Sequence, residues 1–109
     1  MDEIIALAVE LGRKINAHER CVAFTSAARD VASDRDAQQI LRDYQEHADR
    51  LAQLQERQQP IEPKDKQRMA ELEGRIAGHS KLKTLMRTQA DYLELMNRVQ
   101  SAIDGGPQS

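Results

Sequence analysis

The sequence predicts an all-α protein, an elongated bundle of about four helices (long, long, short and long) that is expected to be oligomeric. Apolar residues recur every three or four positions from Ile4 to Ile103, which is the spacing of one helix face. Charged residues make up 31% of the chain, with both signs interspersed, as on exposed helix faces. The chain has one Cys, three His and no Trp, so it offers few groups for catalysis. We therefore expect a surface for other proteins, without enzyme activity.

The first helix is predicted from Asp2 to Val31. Its apolar stripe has an alternating spacing of four and three residues and consists of Ile4, Ala8, Leu11, Ile15, His18 and Val22. Beyond Val22 the stripe drifts onto a neighbouring face, because a straight helix drifts against a 3.5-residue repeat. Gly12 is the only weak position expected inside this helix.

The second helix is predicted from Arg35 to Arg57. Ser33 is a candidate N-cap, with Asp36 completing a partial capping box. One helix continuing through this region remains an alternative, because it contains no Gly or Pro. The expected inward stripe is Ala37, Ile40, Leu41, Tyr44, Ala48, Leu51 and Gln55.

Prolines separate the second helix from a short third one, predicted from Lys64 to Ala77. The residue before each proline is pushed towards extended geometry, and Pro63 suits the first helical position. The residues expected to point inward are Met69, Leu72 and Ile76. Gly78 is a candidate C-terminal stop.

The fourth helix is predicted from Lys81 to Ile103, with Ser80 as its cap. Its expected stripe is Leu82, Leu85, Met86, Gln89, Leu93, Met96, Gln100 and Ile103. Residues 1–104 are thus expected to form a single helical domain, and residues 105–109 a flexible C-terminal tail.

The predicted first helix is too long for a small monomer to cover. Thirty residues of helix span about 45 Å at about 1.5 Å per residue, whereas a compact chain of about 100 residues has a radius of gyration of about 13 Å. We therefore expect the stripe to bury itself against a second copy or a related helical subunit. The candidate interface residues are Ile4, Ala8, Leu11, Ile15, Val22, Phe24 and Leu41.

Composition argues against several classes of partner. The net charge of −2 lacks the basic excess of a nucleic-acid-binding protein. No apolar stretch approaches the roughly 20 residues of a membrane span. The start, Met1-Asp2-Glu3, lacks the basic residues of a signal peptide. The cytoplasm is the expected location, with neither membrane nor nucleic acid as a partner.

Motifs for metal or covalent chemistry are incomplete. His18-Glu19 begins like the zinc motif H-E-x-x-H, but Val22 stands at the position of the second His. Cys21 is the only cysteine and near an apolar face it is expected to behave as a small hydrophobic residue. We expect no catalytic residue, no metal site and no cofactor.

Two alternatives remain open from the residues alone. One is a nucleic-acid-binding bundle that would use Lys81, Lys83 and Arg87 at the start of the last helix. The other is a chaperone-like coiled-coil protein.

Several features together resemble the YlbF/YmcA family of small bacterial helical regulators. The long first helix carries Phe24 and the pair Ala27-Ala28 near its end. The second helix opens with residues 36–44, DAQQILRDY, and a Pro-containing link follows at residues 59–61. Residues 72–76, LEGRI, lead into a last helix rich in Leu and Met. The resemblance extends over nearly all of residues 2–104.

The resemblance implies a cytoplasmic, oligomeric regulator that works with other regulatory proteins. Characterised members join a complex with a related subunit and an unrelated third protein. That complex tunes mRNA processing by RNase Y, with effects on competence, sporulation and biofilm formation. It also carries iron–sulfur clusters bound through cysteines. This chain departs from the pattern, because Cys21 stands alone and one thiolate cannot hold a conventional cluster.

Overall fold

The computed structural model describes residues 2–105, and these form five α-helices where about four were predicted. The prediction of an all-α fold is confirmed. The helices are α1 (Asp2–Ala17), α2 (Glu19–Ala32), α3 (Arg35–Glu56), α4 (Pro63–Gly78) and α5 (Ser80–Ile103).

The extra helix arises from a break at His18, so the predicted continuous helix from Asp2 to Val31 is wrong. The His18 amide donates to the carbonyl of Ile15 at 3.0 Å, which closes a tight turn at the end of α1. The ring Nδ1 of His18 accepts a hydrogen bond from the Arg20 amide at 3.1 Å. This bond satisfies one of the amides left open at the start of a helix. The helix therefore breaks at His18, whereas Gly12, the position expected to be weak, lies within α1.

A second break separates α2 from α3, which excludes the alternative of one helix through this region. Asp34, and not Ser33, caps α3: its Oδ1 accepts from the Ala37 amide at 2.9 Å, with extended backbone angles. The Ser33 hydroxyl instead donates to the carbonyl of Asp30 at 3.3 Å. Both residues are good N-caps, and the backbone places Asp34 at the cap position.

The predicted start of α4 is confirmed, with Pro63 as its first residue. The Asp65 carboxylate reaches back to accept from the Glu62 amide at 3.3 Å. Gly78 is the last residue of α4, and α5 begins at Ser80 after a single residue, His79.

The described residues divide into two compact units. Unit 1 comprises residues 2–29 and 85–105, and unit 2 comprises residues 30–84. In unit 2, α3 packs on α4, around a core whose buried apolar residues are Val31, Ala37, Ile40, Leu72 and Leu82. In unit 1 the buried residues are Ala27 and Thr88.

Two sequence predictions remain open after this division. A single domain over residues 1–104 stays a prediction. The predicted tail at residues 105–109 lies outside the described residues except for Gly105. No helix within residues 2–105 is long and apolar enough to cross a membrane.

The buried stripes of α3 and α4 largely follow the prediction. Ala37 and Ile40 of α3 are buried, whereas Gln55 at the far end of the predicted stripe is exposed. On α4, Leu72 is fully buried, and Met69 and Ile76 are half-buried.

The predicted stripe of α5 is partly wrong. Leu82 is buried as expected, but Met86, Leu93 and Ile103 are 50–62% exposed. In the unit 1 part of α5 the covered face keeps Leu85 and Met96 of the predicted stripe and adds Thr88, Tyr92, Leu95 and Val99. Two apolar stripes are possible in this part of the sequence. The stripe that carries Tyr92 is covered, because Tyr92 stacks on Phe24 of α2.

Candidate interaction surface

Helix α1 is an apolar helix whose first half the chain leaves uncovered. None of its residues is buried, and every residue from 2 to 10 is exposed. Four large aliphatic side chains in this stretch are more than half exposed: Ile4 67%, Ile5 56%, Leu7 65% and Val9 55%. A contiguous apolar surface of this kind on a folded protein marks a site of protein or membrane interaction.

Exposure along α1 changes at Leu11. Leu11 and Ile15 are half-buried, although they lie on the same stripe as Ile4 and Ala8. The predicted interface residues therefore fall into two groups on this helix. Ile4 and Ala8 are free to meet a partner, and Leu11 and Ile15 are already partly covered.

Charge is distributed unequally along α1. Asp2 and Glu3 lie in its first turn and Lys14 in its last turn, next to Arg13. This order complements the helix dipole, which favours acids at the N-terminus and bases at the C-terminus. The exposed aliphatic stretch itself ends on a further acid, Glu10, and the basic pair follows after Leu11 and Gly12.

Helix α2 carries the next two predicted interface residues, and they have different environments. Val22 is 54% exposed. The Phe24 ring stacks on Tyr92 of α5, with ring centroids 5.2 Å apart and an interplanar angle of 28°. Phe24 is therefore a packing residue of unit 1, where stacked aromatic pairs contribute beyond their buried area.

Arg20 adds polar contacts between the same two helices. Its Nη1 donates to the carbonyl of Asp91 at 3.2 Å and lies 3.5 Å from Oε1 of Glu94. Together with the ring stack, these contacts fix α2 against α5 in unit 1. They place the first residues after the His18 break in a packed setting, whereas α1 before the break has no buried residue.

The last predicted interface residue, Leu41, lies in unit 2. It is half-buried on α3, one residue after the buried Ile40. No observation tests whether any of the seven predicted residues touches a second chain, so that interface stays a prediction.

A polar cluster joins the start of α3 to the start of α5 in unit 2. Lys81 Nζ lies 3.0 Å from Oδ2 of Asp34. His79 Nε2 lies 3.8 Å from Oδ1 of Asp34 and 3.4 Å from Oδ2 of Asp36. Its other ring nitrogen, Nδ1, is buried and has no hydrogen-bond partner among the described residues. The cap of α3 is thereby tied to the α4–α5 junction.

This cluster changes the interpretation of the basic start of α5. Lys81 was a candidate for contacting nucleic acid, but its ammonium group is paired with Asp34. The other two members of that group, Lys83 and Arg87, are exposed. The pairing weakens the nucleic-acid alternative.

A second polar cluster joins α3 to α4. Asp65 is only 4% exposed. Its carboxylate lies 3.3 Å from Nε of Arg50, and its carbonyl oxygen lies 2.9 Å from Nε2 of His47. Nearby, Arg75 Nη1 lies 3.5 Å from Oδ2 of Asp43. These contacts hold α4 against α3 around Leu72.

Both clustered aspartates have lowered pKa values. The hydrogen bond from the Ala37 amide, assisted by Lys81, lowers the pKa of Asp34 below 3.8. Burial raises the pKa of Asp65, but the Glu62 amide, Arg50 and His47 together outweigh it, so the pKa of Asp65 is also lowered. Hydrogen bonds and positive charges favour the ionised form, and both groups act as structural carboxylates.

The surface hollows of unit 2 lie beside these clusters. One of about 360 Å³ is lined by Asp36, Ile40, Arg75, Gly78 and His79. Its acidic and basic groups are those that already pair across α3, α4 and α5. Within residues 2–105 no group of three His, Cys, Asp or Glu side chains could hold a metal ion.

Sequence analysis missed Asp65 and Arg50 as a pair. One signal was present: Glu62-Pro63 followed by an acid at the third helical position is a helix-start pattern related to the capping box. Arg20 had no comparable signal, because its partners on α5 lie about seventy positions further along the chain.

A family model described as "Control of competence regulator ComK, YlbF/YmcA" matches residues 4–106. The chain belongs to the YlbF/YmcA family. No curated protein sequence matches it significantly.

Two solved structures share the fold of this YlbF/YmcA protein. The X-ray structure of Bacillus subtilis RicA, in complex with RicF, superposes with a TM-score of 0.80 at 16% identity, covering 94% of this chain and 90% of that chain. A protein of unknown function (DUF964) from Bacillus stearothermophilus superposes with a TM-score of 0.71 at 24% identity, covering 93% and 89%. At these identities the likeness shows the fold alone.

Proposed function

We propose that this YlbF/YmcA protein is a non-enzymatic helical adaptor that docks through α1 onto other helical chains. One observation carries the proposal: α1 presents four large, more than half-exposed aliphatic side chains and has no buried residue. Burying one such side chain fully contributes about 1.5–3 kcal/mol. A partner helix laid along α1 would therefore be held by a surface that the chain itself does not use.

The proposed partners are a second copy of the chain or a related helical subunit. RicA, which has the same fold, was solved in complex with RicF. This supports association with another protein chain as the way this chain acts. Docking of an apolar helix face is a common recognition mode, with anchor residues three and four positions apart. Ile4, Leu7, Ala8 and Leu11 have that spacing.

We further propose a regulatory role in the cytoplasm, in RNase Y-dependent mRNA processing and in the control of competence, sporulation and biofilm formation. Membership of a family described by its control of a competence regulator supports the competence part of this role. This chain cannot hold a conventional cluster alone, because Cys21 is its only cysteine, and the proposed role is stated without one.

An aspartate on the α1 surface tests the docking proposal. Ile4→Asp puts a charge into the proposed interface at a site that is 67% exposed, so folding is expected to survive. The matched control is Ala6→Asp, which adds the same charge on the opposite side of the same helix. Binding to the host's other YlbF/YmcA subunits is followed by sedimentation velocity with purified proteins.

We expect Ile4→Asp to weaken association at least tenfold, and Ala6→Asp to leave it within about twofold. Circular dichroism checks that both variants keep the parent helix content. Equal binding by all three folded proteins would overturn the proposal that α1 is the docking surface.

A further inference from the structure

We propose that protonation of His18 loosens the joint between α1 and α2, so that this joint responds to pH. The proposal goes beyond the docking function and does not depend on what α1 binds. It is carried by the contact of the His18 ring, by the different contacts of the other two histidines, and by the unequal packing on the two sides of the joint.

The His18 ring caps α2 through a nitrogen that accepts only when it carries no proton. Its Nδ1 accepts a hydrogen bond from the Arg20 amide at 3.1 Å. Because α2 begins at Glu19, Arg20 is the second residue of the helix, and an N-cap side chain ordinarily satisfies the amide at this position. A neutral ring whose Nδ1 accepts carries its proton on Nε2.

A second proton on the ring of His18 reverses this contact. Both nitrogens of a charged imidazole ring are donors, so Nδ1–H then faces the N–H of Arg20 and the hydrogen bond is lost. The new positive charge also lies at the start of α2, where the helix dipole favours negative groups. Histidine is the side chain whose charge ordinarily changes between pH 5 and pH 8, and this range defines the response.

The charged groups around the joint do not remove this effect. Lys14 on α1 lies four positions before the ring, and the acid Glu19 lies in the first turn of α2, so the nearby charges in the sequence have opposite signs. On α5, Asp91 and Glu94 both contact the guanidinium group of Arg20. None of these groups restores an acceptor for the Arg20 amide once Nδ1 is protonated.

The other two histidines keep their contacts in either protonation state. Nε2 of His47 lies 2.9 Å from the carbonyl oxygen of Asp65. Nε2 of His79 lies 3.4 Å from a carboxylate oxygen of Asp36 and 3.8 Å from one of Asp34. These oxygens are acceptors, and a ring N–H serves them whether the ring is neutral or charged. Among the three histidines, protonation therefore removes a hydrogen bond only at the α1–α2 joint.

Packing on the two sides of the joint decides which helix gains freedom. Helix α2 is fixed to α5 by the stack of Phe24 on Tyr92 and by the bond from Arg20 to the carbonyl of Asp91. Helix α1 has no buried residue, and residues 2–10 are all exposed. Loss of the cap therefore leaves α2 in place, and α1 becomes more mobile about His18.

Amide exchange tests the cap directly. In the parent protein, the NMR protection factor of the Arg20 amide should fall about fivefold between pH 7.5 and pH 5.5, as for the loss of an N-cap. His18→Asn keeps a cap acceptor that does not titrate, so its protection factor should change by less than about twofold. His47→Gln is the matched control, because it removes another histidine and should keep the response of the parent protein.

Backbone relaxation tests the consequence for α1. Nitrogen-15 order parameters report motion of the backbone on the picosecond to nanosecond scale. Those of residues 4–14 should fall between pH 7.5 and pH 5.5 in the parent protein and stay constant in His18→Asn. Those of α2 around Phe24 should stay constant in both proteins, because the ring stack does not titrate.

The protonation state of the His18 ring is followed by NMR of its ring nitrogens in the same samples. A ring that stays neutral at pH 5.5 would overturn the proposal. A charged ring with unchanged protection of the Arg20 amide would also overturn it, as would an equal loss of protection in the parent protein and in His18→Asn. All of these measurements use the isolated chain, so their outcome is independent of whether α1 is a docking surface.

Discussion

Nε of Arg50 lies 3.3 Å from Oδ1 of Asp65, and this contact ties the middle of α3 to the first turn of α4. Asp65 is almost fully covered, whereas the Arg50 side chain is more than half exposed. The same carboxylate accepts the Glu62 amide. Asp65 therefore stabilises the first turn of α4 and also anchors α4 to α3. The Arg50–Asp65 pair is not part of the proposed docking surface.

Replacing Asp65 by Asn should lower the thermal stability of the chain. The amide keeps the shape of the side chain but loses the charge that faces Arg50, and leaves a covered polar group with weaker partners. Thermal unfolding followed by circular dichroism measures the change. Glu71→Gln is the matched control, because it removes the partner of Arg68 in an exposed i,i+3 pair and should shift the midpoint little.

Acid should destabilise the chain through Asp34 and Asp65. Both pKa values are lower in the folded protein than the reference value of 3.8. Their ionised forms therefore contribute stability fully above pH 3.8, and this contribution is lost as the pH falls through the folded values. Urea unfolding between pH 5 and pH 2.5 follows the loss.

Asparagine variants identify the source of this acid sensitivity. Asn at position 34 can still cap α3 but cannot titrate, so Asp34→Asn should flatten the dependence of stability on pH. An acid profile identical to that of the parent protein would show that Asp34 does not contribute to it.

Truncating Leu72 should destabilise unit 2 strongly. Leu72 is fully buried, and a Leu→Ala change at such a site costs about 2–5 kcal/mol of the free energy of unfolding. Leu93→Ala deletes the same atoms at a site that is 50% exposed, and should cost under about 1 kcal/mol. Urea unfolding of both variants makes the comparison, and equal losses would contradict the assignment of Leu72 to the core.

Losing the ring of His18 should loosen the start of α2. Ala at this position removes the acceptor for the Arg20 amide, whereas Asn keeps an acceptor suited to an N-cap. We expect the Arg20 amide to exchange with solvent at least several-fold faster in His18→Ala than in the parent protein, and His18→Asn to lie between them. NMR hydrogen exchange measures this, and unchanged exchange in His18→Ala would exclude the capping role.

The sequence predicted the helices best where local chemistry and packing agree. Pro63 starts α4 as expected, because its missing amide is harmless at that position. Leu72 is buried as the central residue of the predicted stripe of α4, and Ile40 is buried near the start of the predicted stripe of α3. No second apolar pattern exists at these positions. Packing against the neighbouring helix therefore buries the same side chains that the local sequence pattern predicts.

The break at His18 could not be predicted from the stripe. The 4-3 spacing of apolar residues continues from Ile15 to Val22 across it, so the pattern conceals the end of α1. A histidine also has no strong helix-breaking preference, and its role depends on where its ring nitrogen meets the Arg20 amide. Part of the covered face of α5 was missed for a similar reason, since Tyr92 is covered by its stack on Phe24, a residue on a distant segment.

The candidate docking surface was predicted in part. Ile4 and Ala8 were chosen from their stripe and are exposed, as a docking surface requires. Phe24 was chosen from the same pattern, but its ring is stacked within unit 1. Periodicity identifies an apolar face, and only the packed structure tells which part of that face the chain already occupies.

The interruption at His18 has an evolutionary consequence. Residues before it contribute little to the packed cores, so substitutions there can change which chains are recognised while the rest of the protein still folds. Duplicated copies of such a gene can diverge in binding specificity through a few substitutions near the N-terminus, and retain a common fold.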